Sequence, residues 1–240
     1  MTPGFRQFSR CLSNLPKRSL RRLLALAVLV VLGSVSLGYA KENVEDFLRK
    51  FEKQRGKITT YSARFVQKKS LAVFNEQKVS TGVVLFKAPH QMIWKYETPD
   101  KTQMRVVGEE VSFYFPELRQ IEKYPPRGGS ATPFFFAFEA TADEIKRNFE
   151  VSVSPGEAGG LIQAKLAPKS EQLASGLQSI TLWLEESDYL PRKILISETS
   201  GDTTMIELSK VRVNEPIADK ELKFDAPEGT PVIEADSGGL

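Results

Sequence analysis

Hydrophobic and polar positions divide the chain into one helical stretch and a long succession of short alternating ones. In "NVEDFLRKFEKQRG", residues 43–56, Val44, Phe47, Leu48 and Phe51 recur at helical spacing, so one stripe of the helix must pack against something. Asn43 suits the N-cap, and Gly56 suits a helix end in left-handed conformation. From there the period drops to two. "YSARFVQKK" sets Tyr61, Ala63 and Phe65 on one face, and "STGVVLF" follows a turn around Asn75. "GVVLFKAPHQMIWKYETP", residues 82–99, runs as a strand to Pro89 and resumes with Met92, Trp94 and Tyr96 on one face and Ile93 and Lys95 on the other. "VSFYFPELRQ" repeats the theme, with Val111, Phe113 and Phe115 opposite Ser112 and Tyr114.

Further alternating runs, "LIQAKLAP", "LQSITLWLEE", "PRKILISETS" and "TTMIELSKVRVN", follow at intervals of about ten residues, separated by turn signals at Thr98-Pro99-Asp100, Gly108, Pro116 and Gly159-Gly160. About ten to eleven strands in meander order predict a mainly β (α+β) fold, an antiparallel sheet or barrel, and exclude an alternating strand–helix architecture. No internal repeat is visible, and the tail beyond Pro231 reads as loosely held. One segment breaks the rhythm. "PFFFAF", Pro133–Phe138, is too apolar for a connector and is either a buried strand or a short helix with Pro133 at its first position. The helix, lying across the sheet, is the reading adopted, with Phe134, Phe135, Phe136 and Phe138 forming a lid. An open sheet with one helix and one aromatic flap over its concave side makes an apolar cavity. Its predicted lining is Phe65, Leu85, Met92, Trp94, Val106, Phe113 and Leu182.

Charge changes the picture at the N-terminus. The chain has 240 residues and a formal net charge of +3, yet the first 40 residues hold six basic residues and no acidic one. Arg6, Arg10, Lys17, Arg18, Arg21 and Arg22 precede the uncharged run Leu23–Ala40, which ends in small residues before Lys41 and Glu42. A basic region, an apolar core and a small-residue cleavage site predict a signal peptide over residues 1–40, removed after Ala40, and a single domain over residues 41–240. The alternative is an uncleaved anchor, since the uncharged run could just span a bilayer. Without that segment 27 of the 33 basic residues face 30 acidic ones, so the remainder is weakly acidic and offers no clustered basic surface for nucleic acid. Cys11 is the chain's one cysteine, so the exported part has no disulfide.

Candidate chemistry is sparse. His90 is the sole histidine and sits one residue beyond Pro89, as a turn residue. A serine or cysteine triad would have no other base. Metal-ligand spacings and phosphate-cradling glycine motifs are absent, and the neighbours Glu185 and Glu186 point to opposite faces of a strand. Neither a cofactor nor a catalytic residue is expected.

Several stretches, in order and spacing, resemble the LolA family of periplasmic outer-membrane lipoprotein carriers. These are "ARFVQ" after an amphipathic helix, "STGVVLFKAPHQMIWKYETP", "VVGEEVSFYFPELRQIEKY", "TPFFF", "AKLAPK" and "LKFDAPEGTPVIE". The resemblance runs from about Val44 to Ile233 and rests on the ordered set rather than on any one motif. It implies an incomplete antiparallel barrel whose open side is covered by short helices and holds the acyl chains of lipoproteins. It also implies transport without covalent chemistry, by a soluble periplasmic monomer. The partners would be acylated lipoproteins, an inner-membrane ABC lipoprotein exporter and an outer-membrane acceptor. Family members carry an arginine before the proline of the "KxP" element, where it fastens the lid; here that position is Ala88, and Met92 stands at the aromatic position four residues on. Lys87 is the available substitute. Two readings of the same fold stand beside the carrier: a relative carrying a glycolipid or other apolar lipid, and a lipid-sensing regulatory domain, which normally has a second domain. The acceptor itself normally begins at a lipidated cysteine, which this sequence does not provide after its apolar run.

Overall fold

A computed structural model describes residues 43–124, 140–156 and 159–234. The predicted lid phenylalanines at 134–138 and the predicted signal segment lie outside the described residues. Helix α1 spans Val44–Arg55, capped by the Asn43 side chain accepting from the Glu45 N–H at 3.1 Å. Its acidic first turn and basic last turn complement the helix dipole. Gly56 ends it in right-handed rather than left-handed conformation (φ −59°), because its N–H still finds helical carbonyls at Gln54 and Glu52.

Twelve strands follow, more than the ten to eleven predicted. They are β1 (Thr60–Leu71), β2 (Glu76–Lys87), β3 (Gln91–Thr98), β4 (Gln103–Val107), β5 (Glu110–Phe115), β6 (Gln120–Tyr124), β7 (Phe149–Pro155), β8 (Leu161–Pro168), β9 (Leu177–Glu185), β10 (Pro191–Glu198), β11 (Thr203–Val213) and β12 (Val232–Glu234). All belong to one open sheet in the order β12-β6-β5-β4-β3-β2-β1-β11-β10-β9-β8-β7. Every pairing is antiparallel except the last addition, β12, which runs parallel to β6 with Ile233 opposite Glu122. Residues 232–234 of the tail are therefore paired rather than loose, the rest of it lying outside the described residues, and the Pro231 carbonyl accepts from the Ile121 N–H at 2.9 Å. Two short helices, α2 (Ala142–Asn148) and α3 (Glu171–Ala174), and a 3-10 turn at Asp219–Leu222 complete the described elements.

The inner face is set by alternation. Cross-strand rows Ala63–Val84–Trp94–Met104–Phe113 and Tyr61–Phe86–Met92–Val106–Val111 run across β1 to β5. On the other wing Ile206, Ile194, Leu182, Ala164 and Val153 form the matching row. Buried residues of both wings join Phe47, Leu48 and Phe51 of α1 and Ile145 of α2 in one core, so the sheet curls around its helices. Helix α2 carries a reciprocal cap between Thr141 and Glu144, and its Lys146 reaches Glu45 of α1 at 3.0 Å. The Thr141 N–H and hydroxyl hold the Glu144 carboxyl below the usual carboxylate range.

The outer face of β2–β5 is also covered. The segment around residues 219–225 crosses it as a strap: Lys87 Nζ bonds Asp219 at 2.6 Å, and Lys95 Nζ bonds Asp225 at 2.8 Å. Gln103 exchanges two hydrogen bonds with Asp225, and Arg105 Nε donates to the Leu222 carbonyl at 2.9 Å. Leu222 and Ile93 are buried there, and Tyr114 packs on Phe224 with ring centroids 6.0 Å apart. This corrects the reading of two residues. Leu85 alternates with the inward Val84 and Phe86 and stands opposite Ser62 and Ile93, on the outer face and away from the core cavity. Lys87 is likewise spent on the strap, so it does not take the place of a lid arginine on the inner side.

Candidate functional site

The inner faces of the first wing's strands are not equally buried. Inner side chains of β1–β4 are sealed in one stretch: Phe65, Met92, Trp94 and Val106 are all buried, as is Leu182 across the interior. Phe65 organises this part. Its ring meets Trp94 at 4.9 Å and Tyr96 at 5.0 Å, the latter edge-on. The Trp94 indole N–H points to Met92 Sδ at 3.1 Å. Beyond β4 the pattern inverts. On β5 the outward Ser112 and Tyr114 are buried under the strap, whereas the inward Val111, Phe113 and Phe115 are only half-buried. Among the described residues, large apolar side chains thus line an interior groove that no described side chain fills.

A groove of about 420 Å³ occupies this space. Its apolar wall is Tyr96, Phe113, Phe115 and Tyr124, and its polar margin is Gln67, Ser80, Thr102, Lys69 and the pair Lys78 and Asp100. Phe113 stacks on Phe115 with centroids 6.1 Å apart and receives Tyr124 edge-on at 5.5 Å. Tyr96 OH donates to Gln67 Oε1 at 3.0 Å, and burial pushes its pKa up to about 12 against the lowering effect of that bond, so it stays a neutral phenol. Tyr124 OH donates to Glu122 at 2.9 Å; partial burial and then that carboxylate hold its pKa above the usual value. Lys78 is held by Asp100 at 2.8 Å, and Lys69 lies 4.0 Å from Glu198, so the margin carries opposite charges in balance. The size fits part of an amphiphile, and the wall can take hydrocarbon.

Of the predicted lining residues, the structure brings Phe113 to the groove. Phe65, Met92, Trp94, Val106 and Leu182 stand behind it in the core, and Leu85 lies on the far side of the sheet. Tyr96 and Phe115 carry the same alternation signal as Trp94 and Phe113 but were not among the predicted lining. Tyr124, Gln67, Ser80 and Thr102 give no sequence signal, because the groove depends on how distant strands come together in the curled sheet. His90 sits exposed in the β2–β3 turn at φ 55° and is not among the groove's lining residues, and Glu185 lies 3.7 Å from Arg192. Among the described residues no group of three or more His, Cys, Asp or Glu is placed to hold a metal ion.

One curled, largely antiparallel open sheet with helices against its inner face defines a class of mainly β proteins. Within it, residues 56–225 match the family described as outer membrane lipoprotein carrier protein LolA, and the chain belongs to that family of non-enzymatic transport proteins. An outer-membrane lipoprotein carrier protein of Methylobacillus flagellatus is 27% identical over 213 residues, covering 88% of this chain and 98% of the relative. One of Pseudomonas fluorescens is 26% identical over 214 residues, covering 89% and 99%. Solved structures share the fold at low identity. An uncharacterized conserved protein from Thermus thermophilus has a TM-score of 0.53 at 12% identity, over 80% of this chain and 98% of its own. MucB has a TM-score of 0.50 at 10% identity, over 78% of this chain and 64% of its own. The family is periplasmic, and among the described residues no helix is long and apolar enough to cross a membrane.

Proposed function

We propose that this protein carries the acyl chains of lipoproteins across the periplasm, receiving them from an inner-membrane ABC exporter and delivering them to an outer-membrane acceptor. The observation that carries the reading is the inversion of burial on β5. Val111, Phe113 and Phe115 face inward yet remain half-exposed, while their outward neighbours are sealed. An apolar wall kept accessible to an interior groove has a use in holding hydrocarbon and none in stability. Each methylene withdrawn from water contributes about 0.8 kcal/mol. A groove that took only part of each chain would hold cargo without trapping it. The balanced charges of Lys69, Lys78, Asp100 and Glu198 at the margin suit a neutral or zwitterionic attachment region.

Residues 1–40 act in this reading as the export signal, leaving a monomeric domain that starts at Lys41. Mass spectrometry of periplasmic protein purified without detergent tests both parts. The expected result is an N-terminus at Lys41 and co-purifying diacyl or triacyl lipopeptide. Glycolipid in its place would transfer the carrier reading to a different cargo, and protein found only in the inner-membrane fraction with an intact N-terminus would exclude a soluble carrier.

A further inference from the structure

The β1–β2 hairpin carries two exposed apolar side chains at the tip of its turn. Ala72–Asn75 closes with the Asn75 N–H to the Ala72 carbonyl, with Asn75 left-handed at φ 49°. The two central positions, where Gly, Pro, Asn, Asp and Ser prevail, hold Val73 and Phe74. They are 81% and 73% exposed, the highest values among the large apolar side chains described, and Val79 on the same hairpin is 46% exposed. Apolar side chains exposed at a turn tip, with no packing gain to offset them, point to a contact made by the tip.

Three features give the tip a direction. First, it overhangs on one side: β2 pairs with β1 from Glu76 onward, but β3 joins only at Thr81, whereas β11 accompanies β1 as far as Ser70. Second, it is held from below. The Ala72 N–H donates to Asp202 Oδ1 at 2.8 Å, which fixes the turn to the β10–β11 connection. Third, the neck of the hairpin is the margin of the groove: Lys69, Lys78 and Ser80 line it within a few residues of the tip. Whatever the tip touches is brought to the mouth of the groove.

We propose that Val73 and Phe74 form a membrane-docking wedge, which enters the headgroup–acyl boundary of a lipid bilayer transiently and sets the groove mouth against the lipid surface. Two side chains on a four-residue turn are too small for a stable protein interface, which needs about 1,000 Å² or more in total. They are adequate for shallow, reversible insertion. Lys68, Lys69 and Lys78 at the neck each have a carboxylate within 4.0 Å, at Glu207, Glu198 and Asp100. The attraction is therefore apolar, and zwitterionic lipid suffices. This goes beyond the carrier reading and uses it only to explain why the groove should open at a bilayer.

The test uses the Phe74→Trp variant with phosphatidylcholine vesicles, with or without brominated acyl chains. Its two other tryptophans, Trp94 and Trp183, are buried, and the unmodified protein serves as the control. Vesicles should shift the new emission to the blue, and bromine should quench it. In flotation, the double variant Val73→Ser/Phe74→Ser should partition at least about ten-fold less than wild type, with an unchanged melting curve and unchanged binding of a fluorescent fatty acid. Absence of shift and quenching, or equal flotation of the double variant, overturns the proposal. Binding only to anionic vesicles, abolished by salt, overturns it in favour of the lysines. Binding only when purified exporter is present in the vesicles overturns it in favour of a protein partner. Fatty-acid binding reports on the groove separately, so loss of the carrier reading would leave the tip result intact.

Discussion

Replacing Gly82 by alanine should destabilise the protein by about 3 kcal/mol, against the direction that strand propensity predicts. In an ordinary strand interior, glycine is less stable than alanine by roughly 0.5–1 kcal/mol. Here a Cβ on Gly82 would lie 2.1 Å from the Lys95 carbonyl oxygen and 2.7 Å from the Phe65 ring. The ring could pivot only by giving up its contacts with Trp94 and Tyr96, and the carbonyl belongs to the backbone of β3. The ladder slips by one residue at this point, from Thr81 opposite Thr98 to Gly82 opposite Tyr96. The missing side chain is what lets β3 approach and Phe65 lie flat over β2. Overpacking at a well-filled site costs about 1–3 kcal/mol, and a backbone clash belongs at the top of that range. For a domain of this size the melting temperature should fall by roughly 6–12 °C. Thermal unfolding by circular dichroism decides the sign. A rise in melting temperature would show that β3 moves freely and that Phe65 is not anchored there.

Gly82 also illustrates what the sequence conceals. Period-two alternation assigned the faces of β3 and β5 correctly, because a residue's side of a strand is a local property. It placed Ile93 and Lys95 opposite Trp94, and Ser112 and Tyr114 opposite Phe113, as found. Alternation does not say which face is covered. Ile93 and Tyr114 point outward yet are buried, because a segment more than a hundred residues later straps that face through Asp219, Leu222 and Asp225. Leu85 was assigned to the cavity on alternation and on the family resemblance, yet it lies outward; an outward leucine under a strap looks the same in sequence as an inward one. Lys87 was open to an inward role until Asp219 was placed beside it.

The helical stripe of α1 was legible for the same local reason, and its destination was not. Phe47, Leu48 and Phe51 had to be buried, but only the curl of the sheet brings them against β7, α2 and Tyr189. That curl decides the site. It seals Trp94 and Val106 in the core and leaves Phe113 and Phe115 at the groove, although all four carry the same pattern in sequence. Parallel pairing of β12 with β6 escaped notice because three residues are too few for a periodic signal.

Phe113→Glu should weaken the binding of a long-chain fluorescent fatty acid by about 100-fold while leaving a folded β-sheet. Phe113 is half-buried and lines the groove, so the substitution removes a wall element without opening the sealed core around Trp94. Loss of the ring forfeits about 1.5–3 kcal/mol of apolar contact when fully engaged. Drawing a carboxylate out of water against a hydrocarbon chain adds further cost. A combined loss near 3 kcal/mol corresponds to roughly two decades in affinity. The new carboxylate would also stand opposite Glu122 across the β5–β6 ladder, an unfavourable like-charge pair. Phe113→Gln separates the two contributions: it removes the ring without the charge and should lose about ten-fold, from the apolar contribution alone. Trp94→Ala provides the contrast, because a large aromatic in the sealed core should cost about 3–5 kcal/mol of stability when truncated. Titrations of the three variants beside their melting curves distinguish groove wall from core. Wild-type affinity in a folded Phe113→Glu protein would place the acyl site away from the β5 groove.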